Sequence, residues 1–349
     1  MGLGFSNERQ LYSDKQSTTE MAPNKARKAT PALDFVFPEN AYDPPENGLN
    51  FNEIYLPEEV LILIFSYIPV CDILKMGLVC KRWYNSLRMH TLWSTLYFKK
   101  YKTIPKPLPW YTFYALFSTN YFNGNLLKNN CGQNKFKHWV ILKNGGHKLK
   151  IENNATGCEP YPADCPDFMG AKTCFVTSFS MSQKIQIIRL KNNLVKYIVE
   201  KHKPHLYASE WVAGRFDCGG LYDLRVILYS ESMKIESICE KKDYDYDFEN
   251  YEEGYLDEPT VKNGILMVEA GQLKYNGNEA TKWQKIQVLL KDYPNGVEGV
   301  LFEHCGVDNQ FWAGHYGPKM AGGVVKFVFE SMEPEQDVTI NDEMDVSTN

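Results

Sequence analysis

The chain has 349 residues, 44% of them hydrophobic and 23% charged, which is enough apolar material for one large or two ordinary domains with cores of their own. A formal net charge of -5 and a pI near 5.9, with Lys and Arg scattered rather than striped, leave no basic field for a phosphate backbone, so no nucleic acid is expected as a partner. No run of about eighteen apolar residues occurs, so no transmembrane segment is expected.

Residues 1–52 are rich in Ser, Thr, Pro, Asn and charge without apolar periodicity, and read as a disordered tail. The opening Met1-Gly2-Leu3-Gly4-Phe5-Ser6 fits the lipidation pattern for N-myristoylation at Gly2, followed by the basic Lys25, Arg27 and Lys28. One acyl chain and so few charges give only weak, reversible membrane association. From Leu56 the pattern turns helical. Pro57 suits a first helical position, where its missing N–H costs nothing, and Val60, Leu61, Ile64 and Ile68 follow at helical spacing until Pro69, which is expected to stop the helix. Asp72 is the expected N-cap of a second helix carrying Ile73, Leu74, Met76 and Val79, while Cys80, Trp83 and Leu87 extend the spacing into a third. Trp93, Leu96 and Tyr97 add a further turn. Residues 101–119 contain Pro105, Pro107 and Pro109 before an aromatic stretch, and read as a semi-rigid linker.

Beyond residue 120 the period changes to two. Ile185 and Ile187, then Tyr222, Leu224, Val226 and Leu228, then Ile286, Val288 and Leu290, and finally the run from Val324 to Phe329 alternate or cluster as strands between Gly- and Asn-rich turns. Without an evident helical stretch among them, residues 120–330 read as an antiparallel β-sandwich, so the fold class is mainly β with an α-helical N-terminal module. The acidic, tyrosine-rich segment 243–258 reads as a solvated insertion, and 331–349 as a second disordered tail.

Nine cysteines without a C-x-x-C pair suit reduced thiols in the cytosol. Cys158 and Cys165 lie in a Pro-rich loop not far from His147 but match no standard zinc spacing, so no metal is expected. The sequon Asn154-Ala155-Thr156 is a chance match in a cytosolic chain. Asp217 with Glu303 or Asp308 would supply the carboxylates of a glycosidase, but no spacing singles them out. Asp243, Asp245 and Asp247 begin like a calcium loop, yet Phe248 stands where Gly is required and Gly254 where a bidentate Glu is required. No Gly-rich phosphate loop or nucleophile elbow occurs. Neither an enzyme nor a cofactor is indicated.

Leu56, Pro57, Val60, Leu61, Ile64, Phe65, Val79, Cys80 and Trp83 together resemble the F-box over residues 53–100. A short helical hairpin cannot bury all of that apolar surface internally, so part of it must cover a partner. The resemblance implies that the partner is a Skp-type adaptor and, through it, a cullin ubiquitin ligase scaffold. Residues 120–330 resemble the F-box-associated domain through NGNLLKNNCGQNKFKHWVI at 123–141, Gly145-Gly146, SEWVAGRFDCGGLYDLRV at 209–226 and LFEHCGVDNQFWAGHYGPK at 301–319. That resemblance implies a ten-stranded antiparallel sandwich, several members of whose family hold the inner chitobiose of high-mannose N-glycans in loops at one end.

A pyranose offers an apolar C–H face and a rim of hydroxyls, so a sugar site needs an exposed aromatic platform with a few fixed polar groups. By resemblance Trp312 is the stacking residue, with Phe179 a second aromatic and Asp217 the hydroxyl-binding acid. Phe311 replaces a Tyr and Ala313 a Lys of glycan-binding members, which removes a hydroxyl and a donor. Asp217 also reads as a turn cap beside Gly219-Gly220, and Phe311-Trp312 as aromatics buried between sheets; Trp139, Trp211 and Trp283 read as core. The resemblance implies a non-catalytic ligase substrate receptor in the cytoplasm, at the cytosolic face of the endoplasmic reticulum, whose clients are glycoproteins bound for degradation. A receptor for non-glycosylated proteins and a cytosolic lectin or chaperone without ligase activity are the alternatives.

Overall fold

The computed structural model describes residue 44 and residues 47–103, 107–162, 164–234 and 264–329. The expected myristoylation site at Gly2, the acidic segment 243–258 and the tail 331–349 lie outside the described residues.

A two-stranded ribbon, β1 (Asn50–Phe51) and β2 (Ile54–Tyr55), leads into α1 (Glu58–Phe65), α2 (Val70–Met76), α3 (Lys81–Ser86) and α4 (His90–Tyr101). Pro57 stands just before the first helical residue, with Glu58 and Glu59 in the first turn, where acidic groups favour the helix dipole. The second helix begins earlier than expected: Val70 opens it, Pro69 is its cap, and Asp72 lies inside its first turn, paired with Lys75 at 2.5 Å. Proline tolerates a helix entrance as well as it enforces an exit, and the pattern alone does not separate the two. The Trp83 indole N–H donates to Gly48 O at 2.7 Å, which anchors the ribbon on the helices. Gly48 has φ +83, and any Cβ there would meet the Trp83 ring at 2.8 Å, so the position requires glycine.

The stretch expected as a linker contains a helix of the core, α5 (Trp110–Ser118), entered after Pro109. Its Phe113, Ala115 and Leu116 are fully buried, and Trp93 of α4 meets the rings of Trp110, Tyr114 and Phe117. Once past the last proline, aromatic content that suited a connector also suits a buried helix, and packing on α4 decides between them.

The remaining strands are β3 (Val140–Asn144), β4 (Lys150–Asn153), β5 (Thr173–Val176), β6 (Ser182–Arg189), β7 (His205–Ala213), β8 (Gly220–Tyr229), β9 (Ile265–Tyr275), β10 (Gln284–Leu290), β11 (Gly299–Asp308) and β12 (Lys319–Val328). They form two five-stranded antiparallel sheets, ordered β10-β7-β12-β5-β4 and β3-β6-β11-β8-β9, in agreement with the expected mainly β fold. Tyr222, Leu224, Val226 and Leu228 of β8 face Leu206, Ala208 and Val212 of β7 across the core, as period-two alternation requires.

Among the described residues a helix interrupts the strands, contrary to expectation. In α6 (Asn193–His202), Leu194, Val195, Ile198 and Val199 are buried on one face, and the Asn192 side chain accepts the N–H groups of Leu194 and Val195 as N-cap. The Tyr111 hydroxyl of α5 lies 2.7 Å from His202 Nε2 of α6, joining the helical module to the sandwich.

The space between the sheets holds a polar centre. Glu210 of β7 accepts through Oε2 the Tyr222 hydroxyl at 2.5 Å and the Nδ1 proton of His304 on β11. His304 stacks on Trp139 at 4.9 Å, and Lys184 Nζ of β6 sits 3.4 Å from the ring centres of both Trp139 and Phe175. Burial pushes the Lys184 pKa well down, against the attraction of Glu210. Burial likewise lowers His304 to about 4, outweighing Glu210, so the native imidazole is neutral.

A neutral buried histidine fixes the sign of a pH effect. Between its ordinary pKa of 6.5 and about 4 the unfolded ring binds a proton that native His304 refuses, so stability falls as pH falls through that window. Urea titrations are expected to show a loss of up to about 3 kcal/mol from this group. His202 and His315, also lowered by burial, add in the same direction. His304→Gln keeps a donor for Glu210 and is expected to flatten the slope; an unchanged slope would mean that native His304 is already charged.

Candidate functional site

Two surfaces carry the residues singled out in the sequence. On the helical module, Val60, Leu63, Ile64 and Tyr67 form an exposed stripe at i, i+3, i+4 and i+7 along α1 and its end, with Leu78 and Val79 exposed after α2. Exposed apolar residues in such a row are the mark of a surface that is covered in an assembly. Of the nine expected adaptor-binding residues, Val60, Ile64 and Val79 are exposed, as is Pro57, whereas Leu56 and Trp83 are half-buried. Leu61 and Phe65, each 1% exposed, and Cys80 belong to the module's interior and cannot touch a partner. The helical period places i and i+1 on different faces, so neighbouring Val60 and Leu61 divide between surface and core.

The second surface is one end of the sandwich, where the β11–β12 loop meets the β7–β8, β3–β4 and β5–β6 turns. Phe311 and Trp312 project from the β11–β12 loop, 70% and 46% exposed, so they are not buried between the sheets. Asp308, at the end of β11, holds the loop from beneath: its Oδ1 accepts the N–H of Gln310 at 3.1 Å and of Phe311 at 2.8 Å. Those bonds fix Phe311 at φ 54, a left-handed conformation costly for an aromatic residue. Burial raises the Asp308 carboxyl pKa, against those two amides. The Asn309 N–H donates to Gly219 O at 3.2 Å and ties the loop to the β7–β8 turn.

Trp312 meets Tyr316 edge-on at 5.5 Å, and the Arg215 guanidinium lies 4.3 Å from the Tyr316 ring centre. Arg215 grips Asp217 through two bonds of 2.8 and 2.9 Å. This pairing holds the Asp217 carboxyl below the usual range, against the opposing effect of its partial burial. Asp217 is thus anchored by Arg215, which the sequence reading missed, although the two alternate in the same GRFD turn and so share a side of it.

Phe179 joins the same end. It packs edge-on against His147 at 5.3 Å, and His147 lies 6.2 Å from His315. The Ser178 hydroxyl donates to Gly314 O at 2.6 Å and accepts the His147 N–H at 3.0 Å, linking the β5–β6 turn, the β3–β4 turn and the platform loop. Gly314 has φ +146, and a Cβ there would stand 2.5 Å from Tyr316, so glycine permits the edge-on packing beneath Trp312.

The fold thus gathers Phe179, Asp217, Phe311 and Trp312 at one end, with Arg215, Tyr316, His147 and Ser178 as their supports. Chemically the end offers an aromatic platform and an ionised carboxylate, each of whose oxygens already accepts one bond from Arg215. His147 packs with Phe179 and His315, and among the described residues no three His, Cys, Asp or Glu side chains could together hold a metal ion. Trp139 and Trp283 are buried, and Trp211 is half-buried with its N–H on Asp167 at 2.9 Å.

The contrasting burial of two neighbours on α1 is measurable. Leu61→Ala is expected to lower unfolding free energy by about 2–5 kcal/mol, whereas Ile64→Ala should stay within about 0.5 kcal/mol of wild type in the same denaturant titration. Equal losses would contradict the assignment of Leu61 to the interior and Ile64 to the surface.

Compared with known proteins, the chain matches the family model of the F-box associated region over residues 117–254 and 263–327, and the F-box-like model over residues 54–99. It is 31% identical to F-box only protein 6 of Mus musculus, covering 77% of this chain and 81% of that protein. It is 27% identical to F-box only protein 44 of Homo sapiens, covering 79% and 96%. Among solved structures, TmCBM61 in complex with beta-1,4-galactotriose superposes with a TM-score of 0.32 at 11% identity over 58% of this chain and 98% of that one. No helix among the described residues is long and apolar enough to cross a membrane.

Proposed function

The chain belongs to the F-box proteins that carry an F-box associated region, and from that membership we propose that it is a non-catalytic substrate receptor of a Skp-cullin-F-box ubiquitin ligase. The exposed row Val60, Leu63, Ile64 and Tyr67, with Val79 beside it, docks on the Skp-type adaptor, and the adaptor brings the cullin. The far end of the sandwich takes the client. Its ligand is the chitobiose core of N-glycans on high-mannose glycoproteins, delivered for ubiquitination and endoplasmic-reticulum-associated degradation at the cytosolic face of that membrane.

The observation that carries this reading is the exposed Trp312, held out on a loop pinned by Asp308 beside the Asp217 carboxylate. A half-exposed aromatic ring, steadied by Tyr316 and near an ionised carboxylate, fits a sugar's C–H face and hydroxyl rim. The lost Tyr hydroxyl at Phe311 and the lost Lys amine at Ala313 each remove about 0.5–1.5 kcal/mol, which weakens binding without abolishing stacking. A second reading, a receptor for protein epitopes that bear no glycan, draws on the same thinness of donors.

Binding to immobilised high-mannose glycoprotein separates the two. Wild type is expected to bind, to be released by free chitobiose, and to lose at least tenfold in affinity on Trp312→Ala, as removal of an aromatic anchor does. Absence of binding at high protein concentration would overturn the glycan reading and favour protein epitopes. Co-purification with the adaptor, lost on Ile64→Asp with the melting temperature retained, tests the other surface. Retention of the adaptor by Ile64→Asp would remove α1 as the docking face.

A further inference from the structure

Strand order sets the order of the loops at the platform end. One sheet runs β4-β5-β12-β7-β10 and the other β3-β6-β11-β8-β9, so the facing strands are joined at this end by β3–β4, β5–β6, β11–β12, β7–β8 and β9–β10, side by side. Neighbouring strands stand about 4.8 Å apart, which sets the step from each loop to the next. Phe179 comes from the second loop of the row and Trp312 from the third. The fourth carries Phe216, an aromatic residue outside the four matched to the family's pocket.

Phe216 is 54% exposed, more than Trp312, and among the described residues neither another ring nor a cation packs on it. A single exposed ring needs no explanation, but this one continues a row. Its backbone is held from both sides: the Phe216 N–H donates to Gly157 O at 3.0 Å, and a Cβ on Gly277 of the β9–β10 turn would stand 3.2 Å from Phe216 O. Its sequence neighbours Arg215 and Asp217 bond to each other, and Arg215 lies against Tyr316, the ring beneath Trp312. The Asp217 carboxylate is therefore on the Trp312 side of Phe216. Each of its oxygens, with one lone pair engaged by Arg215, can accept a further hydroxyl.

We infer that Phe216 is the stacking residue of a further sugar subsite, which takes a third pyranose carried on the non-reducing end of the disaccharide at Trp312. This inference rests on the glycan reading above and deepens it by one residue and one sugar. A row of aromatic rings with a carboxylate among them suits a chain of pyranoses, each of which offers a C–H face to a ring and hydroxyls to the acceptor. The reducing end of chitobiose is joined to the client Asn, so a third sugar extends the other end. An apolar side chain of the client is the poorer occupant. The Phe216 ring stands on an outward turn beside an ion pair, whereas burying such a side chain takes a concave apolar surround.

The test is a calorimetric titration of the full-length chain with chitobiose, chitotriose and a chitobiosyl-Asn tripeptide. Wild type is expected to bind chitotriose about tenfold more tightly than chitobiose, as one added aromatic stacking contact gives. Phe216→Ala, at an exposed position that keeps the melting temperature, is expected to bring chitotriose down to the affinity for chitobiose. Phe216→Trp, which puts a ring back, is expected to restore the preference. The glycopeptide is expected to bind wild type and Phe216→Ala alike. Equal affinity of wild type for the two oligosaccharides, or a chitotriose preference that survives in Phe216→Ala, would overturn the inference and leave the glycan reading intact. A loss on Phe216→Ala confined to the glycopeptide would overturn it as well, by placing the ring on the polypeptide side. If neither oligosaccharide binds wild type at high protein concentration, the glycan reading itself falls and the subsite with it. Chitotriose binding that requires Phe216, with chitobiose too weak to measure, supports the subsite.

Discussion

The sandwich is organised around the carboxylate of Glu210. It leaves β7 in one sheet and receives hydrogen bonds from Tyr222 and His304 of the other, in a largely apolar core. A buried carboxylate is tolerated only with partners, and these come from β8 and β11, so the two sheets have one favourable offset in place of many near-equal hydrophobic ones. Lys184 completes the centre from β6, with its amino group placed between the rings of Trp139 and Phe175. Because β7, β8 and β11 all carry loops to the same end, fixing their offset also fixes where those loops meet.

That end works through a succession of short local constraints. Asp308 imposes a left-handed backbone on Phe311; Gly314 lets the chain pass over Tyr316; Ser178 ties the loop to two neighbouring turns. Arg215 fixes Asp217 and simultaneously packs on Tyr316, the ring beneath Trp312. A ligand that stacks on Trp312 finds a platform whose ordering cost is already met in folding.

The helical module holds the complementary surface. Its interior of Leu61, Phe65, Trp93 and Phe113 supports an outer row that is left apolar, and α5 connects that interior to α6 through Tyr111 and His202. The segment between F-box and sandwich is thus packed structure over much of its length, and it meets the sandwich at the β6–β7 end, opposite the Phe311–Trp312 loop.

The sequence by itself determined the division into a helical module and a β region, because the apolar period changes from 3.6 to 2 and that period is a property of the local chain. It also placed Trp312, Phe311, Asp217 and Phe179 in the candidate site, although only by resemblance to a family whose motifs span most of the chain. It did not separate Leu61 from Ile64, since which face of a helix is covered depends on what α4 and α5 bring against it. Nor did it yield α5 and α6: aromatic and β-branched residues suit strand, connector or buried helix alike, and only packing on Trp93 and on the sandwich decided. The partners of Asp217 and Phe179, and the row of end loops that sets Phe216 beside them, were decided by tertiary structure alone, because they bring together turns far apart in the chain whose proximity no local period encodes.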